Sequence, residues 1–344
     1  MWTFKPLFKT TIWGGDRIAP YKGLCSPDSV SACMMPDGQV ADMSQVGESW
    51  EISGVAGDES VVASGPDAGM TLPELLRKYG ASLLGRENFA RFGDRFPLLI
   101  KFIDAKQDLS VQVHPDDALA QQRGMANGKT EMWYVVDSDP GAKLANGFNR
   151  RVDRSEYAGL VESGKIEEVL NFCAIKPGDV YFIPAGRVHA IGAGSFVCEI
   201  QQTSDATYRI YDYHRKDKNG NERQLHTELA LDAINFDDTD GAAVKYDRRE
   251  NEAVCVVRSP FFTTDVISMN EPVTRDYSEL DSFVVLICTD GEAVVECGAR
   301  SEGRVTEDQD IVLRQGETVL LPASAGAVTL RPQGNATLIE TYIA

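Results

Sequence analysis

Hydrophobic positions along most of the chain alternate with polar ones or form short apolar runs. Gly, Pro, Asp and Asn bound these runs, and that pattern is typical of β-strands separated by turns. We therefore predict strands at residues 98–102, 132–136, 180–183, 283–288, 319–321 and 337–342.

Three stretches have helical spacing instead. The first follows Thr71, a suitable N-cap, and ends at Gly80. The second begins near Ser155 and is interrupted by Gly164, and the third follows Thr227. The pattern as a whole predicts a mainly β protein with added helices.

One segment occurs twice, at a constant offset of 138 residues. Residues 178–185 read GDVYFIPA and residues 316–323 read GETVLLPA, so each is a turn, a short buried strand and a Pro-Ala exit. If the match is not a chance similarity of two unrelated turns, it predicts two barrels of the same kind. We expect a catalytic domain at 1–245 and a second domain at 252–344.

Composition and charge narrow the class of protein. Hydrophobic residues make up 43% and charged residues 25%, which is ordinary for a globular chain. The 34 Lys and Arg against 52 Asp and Glu give a net charge of −18, without any long basic run. These values exclude a general nucleic-acid binder, which needs a clustered basic face.

Neither membrane insertion nor export is expected. No apolar run approaches the roughly 18 residues that span a bilayer, and the first residues do not resemble a secretion signal. The seven cysteines are odd in number, contain no Cys-x-x-Cys pair, and include Cys255 between two valines. We interpret all seven as reduced core residues of a cytoplasmic protein.

The four histidines limit where a metal site can be built. Gln112 and His114 lie two apart on a predicted strand, so their side chains share one face. Glu131 begins the next apolar run, and His189 follows the first copy of the repeat. One amide, two imidazoles and one carboxylate would suit a divalent ion, whereas His114 alone would be read as a hydrogen-bonded strand residue. The other two histidines, His214 and His226, are expected at the surface or in loops.

Several motifs carry a family resemblance. Residues 178–189 fit the second cupin motif through His189, although Ala193 stands where that motif usually has Asn. The segments SVQVHPD at 110–116, KTEMW at 129–133 and SDATYR at 204–209 follow in order. Together with WGG at 13–15 and GESWEIS at 47–53, this set resembles the class I mannose-6-phosphate isomerases in their short form. The resemblance runs from about residue 10 to 215.

The resemblance implies two cupin-like (jelly-roll) β-barrels, with the metal in the N-terminal one. It implies reversible conversion of mannose 6-phosphate to fructose 6-phosphate through an enediol, with one zinc ion per chain. The sugar phosphate is then the expected partner, with no nucleic acid and no membrane, and the oligomeric state is left open. The implied residues are the zinc ligands Gln112, His114, Glu131 and His189, the catalytic Arg209, Lys129 and Glu199, and the substrate-binding Trp13, Ser110, Lys129 and Arg209.

The proton carrier stays open at this point. Arg209 cannot be the base because a guanidinium does not deprotonate in proteins, so it must hold charge or clamp oxygens. A water on the zinc ion, Lys129 and Glu199 are the three candidates. Arg215 and Lys216 are candidate phosphate contacts, and a dianionic substrate would need a locally positive pocket in this acidic chain.

Two other functions remain compatible with the sequence. A cupin dioxygenase would use iron with open coordination positions, and a sugar-phosphate-binding protein without catalytic activity would not need Arg209 or a proton carrier. The second domain has no histidine, and Ala327 takes the position of His189, so we expect that domain to be metal-free.

Overall fold

The computed structural model describes residues 1–35, 38–216, 220–297 and 310–344. Over these ranges the chain is mainly β with few helices, as the sequence predicts. The strands are β1 Trp2–Lys5, β2 Leu7–Gly15, β3 Cys33–Met34, β4 Val40–Ala41, β5 Val46–Ile52, β6 Val61–Val62, β7 Leu98–Ala105, β8 Val111–Val113, β9 Glu131–Ser138, β10 Lys143–Phe148, β11 Leu170–Ala174, β12 Val180–Ile183, β13 His189–Ile191, β14 Ser195–Gln202, β15 Tyr208–Tyr211, β16 Glu252–Arg258, β17 Thr263–Met269, β18 Val273–Asp276, β19 Val284–Cys297, β20 Ile311–Arg314, β21 Thr318–Leu321 and β22 Ala327–Tyr342.

The helices are short and lie mostly between strands. They are α1 Ile18–Tyr21, α2 Leu72–Tyr79, α3 Ala81–Leu84, α4 Arg86–Phe92, α5 Asp117–Gln122, α6 Arg154–Glu162 and α7 Thr227–Ala233, with 3₁₀ helices at Pro27–Ala32 and Ile166–Val169. In the part of the chain that the structure describes, no helix has the length and apolar character needed to cross a membrane.

Two antiparallel sheets pack against each other in the N-terminal part. One has six strands in the order β12-β9-β14-β7-β2-β5, and the other has five in the order β11-β10-β13-β8-β15. Their facing sides share one apolar cluster, which includes Trp133 and Val197 of the first sheet and Leu144 and Ile191 of the second. Neither sheet closes on itself over the described residues, so the expected closed barrel is observed as a pair of facing sheets.

The outer faces of these sheets are covered as well. On the six-stranded sheet, Phe102 and Ile200 pack in a large cluster with Leu75 of α2 and residues of the C-terminal strands. On the five-stranded sheet, Val113 and Ala190 pack with α6 and α7. The space between the two sheets is therefore held from both sides, and the candidate site lies in that space.

The seven C-terminal strands β16 to β22, together with β1 and β6, form a nine-stranded sheet dominated by the long strands β19 and β22. Strands β17 to β22 all contribute to one apolar core. The first strand of the chain, β1, joins this sheet by pairing with β21, which ties the N-terminus to the C-terminal part.

A helix is observed at each of the three predicted places, although α7 begins at Thr227 itself and ends at Ala233. Thr71 and Glu74 form a reciprocal cap at the start of α2, and Gly80 ends it with a φ of 54°. Helix α6 is followed by a separate 3₁₀ helix, with Gly164 between them at a φ of 69°. Asp116 caps α5, since its side chain accepts from the backbone N–H of Leu119 at 2.8 Å.

The repeated segment has the same local structure in both copies. Gly178 has a φ of 81° and Gly316 a φ of 80°, and each opens a turn into a buried strand, β12 or β21. The left-handed backbone explains why glycine occupies both positions. His189 begins the strand after the first copy and Ala327 the strand after the second.

The expectation that all cysteines are core residues is wrong for Cys255. None of the seven cysteines, all of which lie in the described part of the chain, forms a disulfide, and Cys255 is exposed. It lies on β16, an edge strand of the nine-stranded sheet, beside a register shift between Cys255 and Val257. An apolar run on an edge strand therefore has one face in solvent, which the sequence pattern did not show.

Candidate active site

The five-stranded sheet places three candidate residues in one row. His189 of β13 is in register with Gln112 of β8, and Gln112 is in register with Arg209 of β15. His114 follows two residues after Gln112, so it shares the same face of the chain. The alternation of the strands therefore directs these side chains towards the opposite sheet.

The six-stranded sheet presents a second row from the other side. Trp50, Lys101, Glu199 and Trp133 are neighbours across β5, β7, β14 and β9. Glu131 lies two residues before Trp133 on β9, and so points to the same face. The site is thus formed by two cross-strand rows that face each other between the sheets.

Three of the predicted metal ligands come together. Donor atoms of His114, Glu131 and His189 lie within 4.8 Å of one another, and all three residues are buried. His114 Nδ1 is 2.7 Å from the carbonyl oxygen of Ala206, and His189 Nδ1 is 2.9 Å from that of Arg187. Each Nδ1–H therefore donates to a carbonyl, which leaves both Nε2 lone pairs directed at the centre, as in metal-bound histidines.

The electrostatics of this group suit a cation. Burial lowers the pKa of His189 to about 3 and that of His114 well below its usual value, so both rings are neutral ligands. Burial and the charge of Glu199 raise the pKa of Glu131 to about 7. Glu131 Oε1 accepts no hydrogen bond from any described residue and faces His189 Nε2 at 3.3 Å. A buried carboxylate oxygen opposite a lone pair needs a positive charge between them.

Gln112 and Lys129 complete this centre. The side-chain amide of Gln112 is 3.3 Å from His189 Nε2, and a half-turn of the amide would present its oxygen there instead. Lys129 Nζ is 2.6 Å from Glu131 Oε2 and 3.2 Å from His114 Nε2, so an ammonium already contacts two of the donors. The donor set therefore fits a divalent cation.

Sequence reasoning missed Lys101. Its Nζ lies 3.0 Å from Glu199 Oε1 and 3.7 Å from Glu48 Oε2. Burial alone would lower the pKa of Lys101, but Glu199 and Glu48 outweigh burial and raise it, so the lysine is charged. The available signal was a charged residue inside the otherwise apolar run at residues 96–103, which is costly unless the charge is paired.

Glu199 is held in a fixed position. Its Oε2 accepts from the indole N–H of Trp133 at 2.9 Å, and its Oε1 contacts both Lys101 and, at 3.7 Å, Lys129. Burial alone would raise the pKa of Glu199, but the two lysines lower it well below the usual range. Glu199 is therefore an ionised carboxylate and a weak base.

A cavity of about 140 Å³ opens beside these residues. Two of the predicted substrate-binding residues, Trp13 and Ser110, are buried and line it. The remaining lining residues are Glu48, Trp50, Lys101, Ile103, Leu109, Gln112, Lys129, Ile191, Glu199, Ser204, Asp205, Thr207, Arg209 and Arg223. A larger cleft of about 690 Å³ lies on the other face of the six-stranded sheet, where Tyr134 and Phe196 line it, away from the metal donors.

His226 lies in the loop before α7, as expected, and it contacts the backbone of Arg209. His226 is partly buried, and its Nδ1 accepts from the backbone N–H of Arg209 at 3.1 Å. Arg209 Nη1 donates to the carbonyl oxygen of Gln224 at 2.9 Å. His214 is exposed as expected, with a side-chain exposure of 73%. Arg215 bonds to Asp212 and does not line the cavity.

A mainly β chain with a buried imidazole and carboxylate centre between two sheets has the architecture of a metalloenzyme. Residues 1–142 match the family model "Phosphomannose isomerase type I, catalytic domain". The putative mannose-6-phosphate isomerase YvyI of Bacillus subtilis is 33% identical over 342 residues, covering 98% of this chain and 97% of that protein. Mannose-6-phosphate isomerase ManA of the same organism is 40% identical over 233 residues, 67% of each chain.

The structural comparison agrees. The crystal structure of the mannose 6-phosphate isomerase from Bacillus subtilis is 32% identical, with a TM-score of 0.79 over 99% of this chain and 98% of that one. A zinc-bound mannose 6-phosphate isomerase, 16% identical, shares the fold with a TM-score of 0.74 over 99% of each chain. This chain therefore belongs to the type I phosphomannose isomerases, an enzyme family.

Proposed function

We propose that this enzyme interconverts mannose 6-phosphate and fructose 6-phosphate. The observation that carries the proposal is the cavity lined by Gln112, Lys129 and Arg209, which lies beside the buried group His114, Glu131 and His189. Membership of the isomerase family favours this function over the two alternatives compatible with the sequence, a cupin dioxygenase and a binding protein without catalytic activity.

Gln112, His114, Glu131 and His189 would hold one zinc ion. The two neutral imidazoles and the single carboxylate give a ligand set of charge −1, with the amide oxygen as fourth donor. When bound, zinc supplies a Lewis acid that polarises a substrate oxygen. The zinc-bound isomerase of the same fold supports this choice of metal.

Lys129 is our candidate for the proton carrier between C2 and C1 of the sugar. Its ammonium lies at the edge of the donor group and also lines the cavity. Glu199 suits this role less well, because Lys101 and the indole of Trp133 hold it as an ionised, weakly basic carboxylate. Glu199 instead acts by positioning and balancing the two lysines.

Arg209 would hold the developing negative charge on the substrate oxygens. It is in register with Gln112, so its guanidinium lies on the same sheet face as the metal donors. Its buried Nε donates to no described residue, and Arg209 lines the cavity. Fixed donors aimed at charge that develops in the transition state are among the strongest catalytic devices.

The domain division is also proposed. We assign residues 1–245 to a catalytic cupin domain with helical insertions and 252–344 to a metal-free cupin-like domain. The turns at Gly178 and Gly316 have the same backbone conformation, which supports two domains of the same kind. Residues 252–344 contain no histidine, which supports a metal-free second domain. Strand β1 would cross from the first domain to the second sheet.

Isotope incorporation tests the proposed reaction. When mannose 6-phosphate is converted in D₂O, a proton carrier that exchanges with solvent would place deuterium at C1 of the fructose 6-phosphate formed. We expect product formation with partial or full incorporation, measured by NMR. Product without any deuterium would favour direct hydride transfer, and no product with zinc-loaded protein would refute the function.

A further inference from the structure

Three arginines surround one aspartate beside the cavity. Asp212 accepts from Arg223 Nε at 2.7 Å and also bonds to the guanidinium of Arg215. The side chain of Asp212 is only 5% exposed. The charges of Arg223, Asp212 and Arg215 all act on Arg209, so four charged groups form one cluster. Three guanidinium groups and one carboxylate leave a formal surplus of two positive charges.

This surplus is unusual in so acidic a chain. With 52 Asp and Glu against 34 Lys and Arg, a carboxylate partner for each arginine would be easy to supply. Burial and the charge of Arg223 instead lower the pKa of Arg209, which means that its positive charge is disfavoured as the cluster stands. The other carboxylate at this cavity end, Asp205, is exposed to solvent. Holding like charges together in a partly buried place costs free energy unless an anion joins them.

The cluster also has donors to spare. Arg223 uses Nε and Nη2 on Asp212, and both Arg223 and Arg209 line the cavity. The buried Nε of Arg209 has no partner among the described residues. The hydroxyl residues Ser110 and Ser204 line the same cavity. Guanidinium and hydroxyl donors in one cavity match a tetrahedral oxyanion.

The backbone fixes these arginines relative to one another. His226 donates its backbone N–H to the carbonyl oxygen of Arg209 at 2.7 Å, and its ring accepts from the backbone N–H of Arg209. The carbonyl of Gln224, next to Arg223, accepts from Arg209 Nη1. The site is therefore preformed, which lowers the entropic cost of binding.

We propose that Arg223 binds the phosphate group of the substrate, with Asp212 and Arg215 as its supports; this inference rests on the proposed isomerase function. Arg209, which is in register with Gln112, faces the reacting oxygens instead. Arg215 also donates to the carbonyl oxygen of Asp108 and does not line the cavity, so it positions Asp212 rather than touching the ligand. The assignment moves the phosphate contact from Arg215, the candidate from sequence, to Arg223.

Paired arginine variants test this assignment on the zinc-loaded protein. R223Q and R215Q remove the same charge from the same aspartate, but only R223Q removes a cavity donor. We expect R223Q to raise KM for mannose 6-phosphate and the inhibition constant of inorganic phosphate about 10- to 100-fold, as for loss of a charged hydrogen bond. R215Q should raise both by a clearly smaller factor than R223Q, because Arg215 acts only through Asp212, and kcat should change less than KM in either variant.

R223K keeps the positive charge, so its KM and its inhibition constant for phosphate should lie between those of wild type and R223Q. If R223Q fails to fold, R223K alone tests the assignment. Unchanged KM and phosphate inhibition in R223K and R223Q, or equal losses in R215Q and R223Q, would overturn the assignment. Calorimetric binding of inorganic phosphate needs no turnover. Phosphate binding that depends on Arg223 in a protein without isomerase activity would refute the proposed function alone, whereas normal activity with an unchanged KM in R223Q would refute this inference alone.

Discussion

At the scale of single residues, the site depends on charges that are buried and balanced in pairs. Lys101 and Lys129 face Glu199 and Glu131, while the two histidines stay neutral. Each group alone would be costly in the interior, and together they leave the cavity able to accept a cation and an anion. The roles of Arg209 and Glu131 can be separated by substitution.

Replacing Arg209 distinguishes geometry from charge. R209K keeps the positive charge but loses the planar pair of donors, and R209A loses both. If Arg209 stabilises the transition state, both variants should lose about 100-fold or more of kcat with little change in KM, because the interaction strengthens only at that point. Steady-state kinetics on mannose 6-phosphate measure this. A near-normal kcat in R209K would show that charge alone suffices.

Glu131 gives a pH-dependent stability to the metal-free protein. Its pKa is about 7 in the folded state against an ordinary 4.5, so the folded state keeps a proton that the unfolded state has lost between these values. The contribution of Glu131 to stability therefore falls as pH rises through that window. The stability of metal-free E131Q relative to metal-free wild type should therefore be greater at pH 8 than at pH 5. Urea unfolding of both proteins at both pH values measures this difference in stability. No change of the difference with pH, or a change in the opposite direction, would contradict the account.

At the scale of elements, the sequence predicted what depends on local pattern. Strand alternation, the cap at Thr71 and the turn at Gly178 follow from a few neighbouring residues, and all three are observed. The face shared by Gln112 and His114 followed from the same alternation. The contacts of Lys101 with Glu48 and of His226 with Arg209 were not predictable, because they depend on the register between strands and loops distant in sequence.

Two glycine substitutions test the packing of these elements. A Cβ on Gly14 of β2 would lie 2.5 Å from the carbonyl oxygen of Gln45 and 2.6 Å from the backbone nitrogen of Gly47, and backbone atoms cannot move aside cheaply. A Cβ on Gly159 of α6 would meet nothing within 4 Å. G14A should cost about 1–3 kcal/mol of stability, whereas G159A should gain up to about 1 kcal/mol. Urea denaturation with equal losses in both variants would contradict this account of the β2–β5 contact.

At the scale of the whole molecule, a strongly acidic protein concentrates positive charge at one cavity. The net charge of −18 opposes the approach of a phosphate dianion, so binding must come from local charges. Lys101, Lys129, Arg209 and Arg223 line the cavity together with Glu48, Glu199 and Asp205, and because carboxylates pair with the two lysines, the arginines supply the positive charge for the phosphate. The C-terminal sheet contributes through packing, since β1 and the large shared core join it to the N-terminal sheets. The metal centre and the cavity both belong to the segment before residue 245.

The most direct test of this account is a zinc titration of chelator-treated protein, with isomerase activity on mannose 6-phosphate as the readout. We expect the chelated protein to be inactive and activity to rise linearly with zinc to a plateau at one ion per chain. H114A and E131A should fail to regain activity over the same range, since each lacks a ligand. Full activity of the metal-free protein, a plateau at two ions per chain, or zinc-loaded protein without isomerase activity would contradict the account.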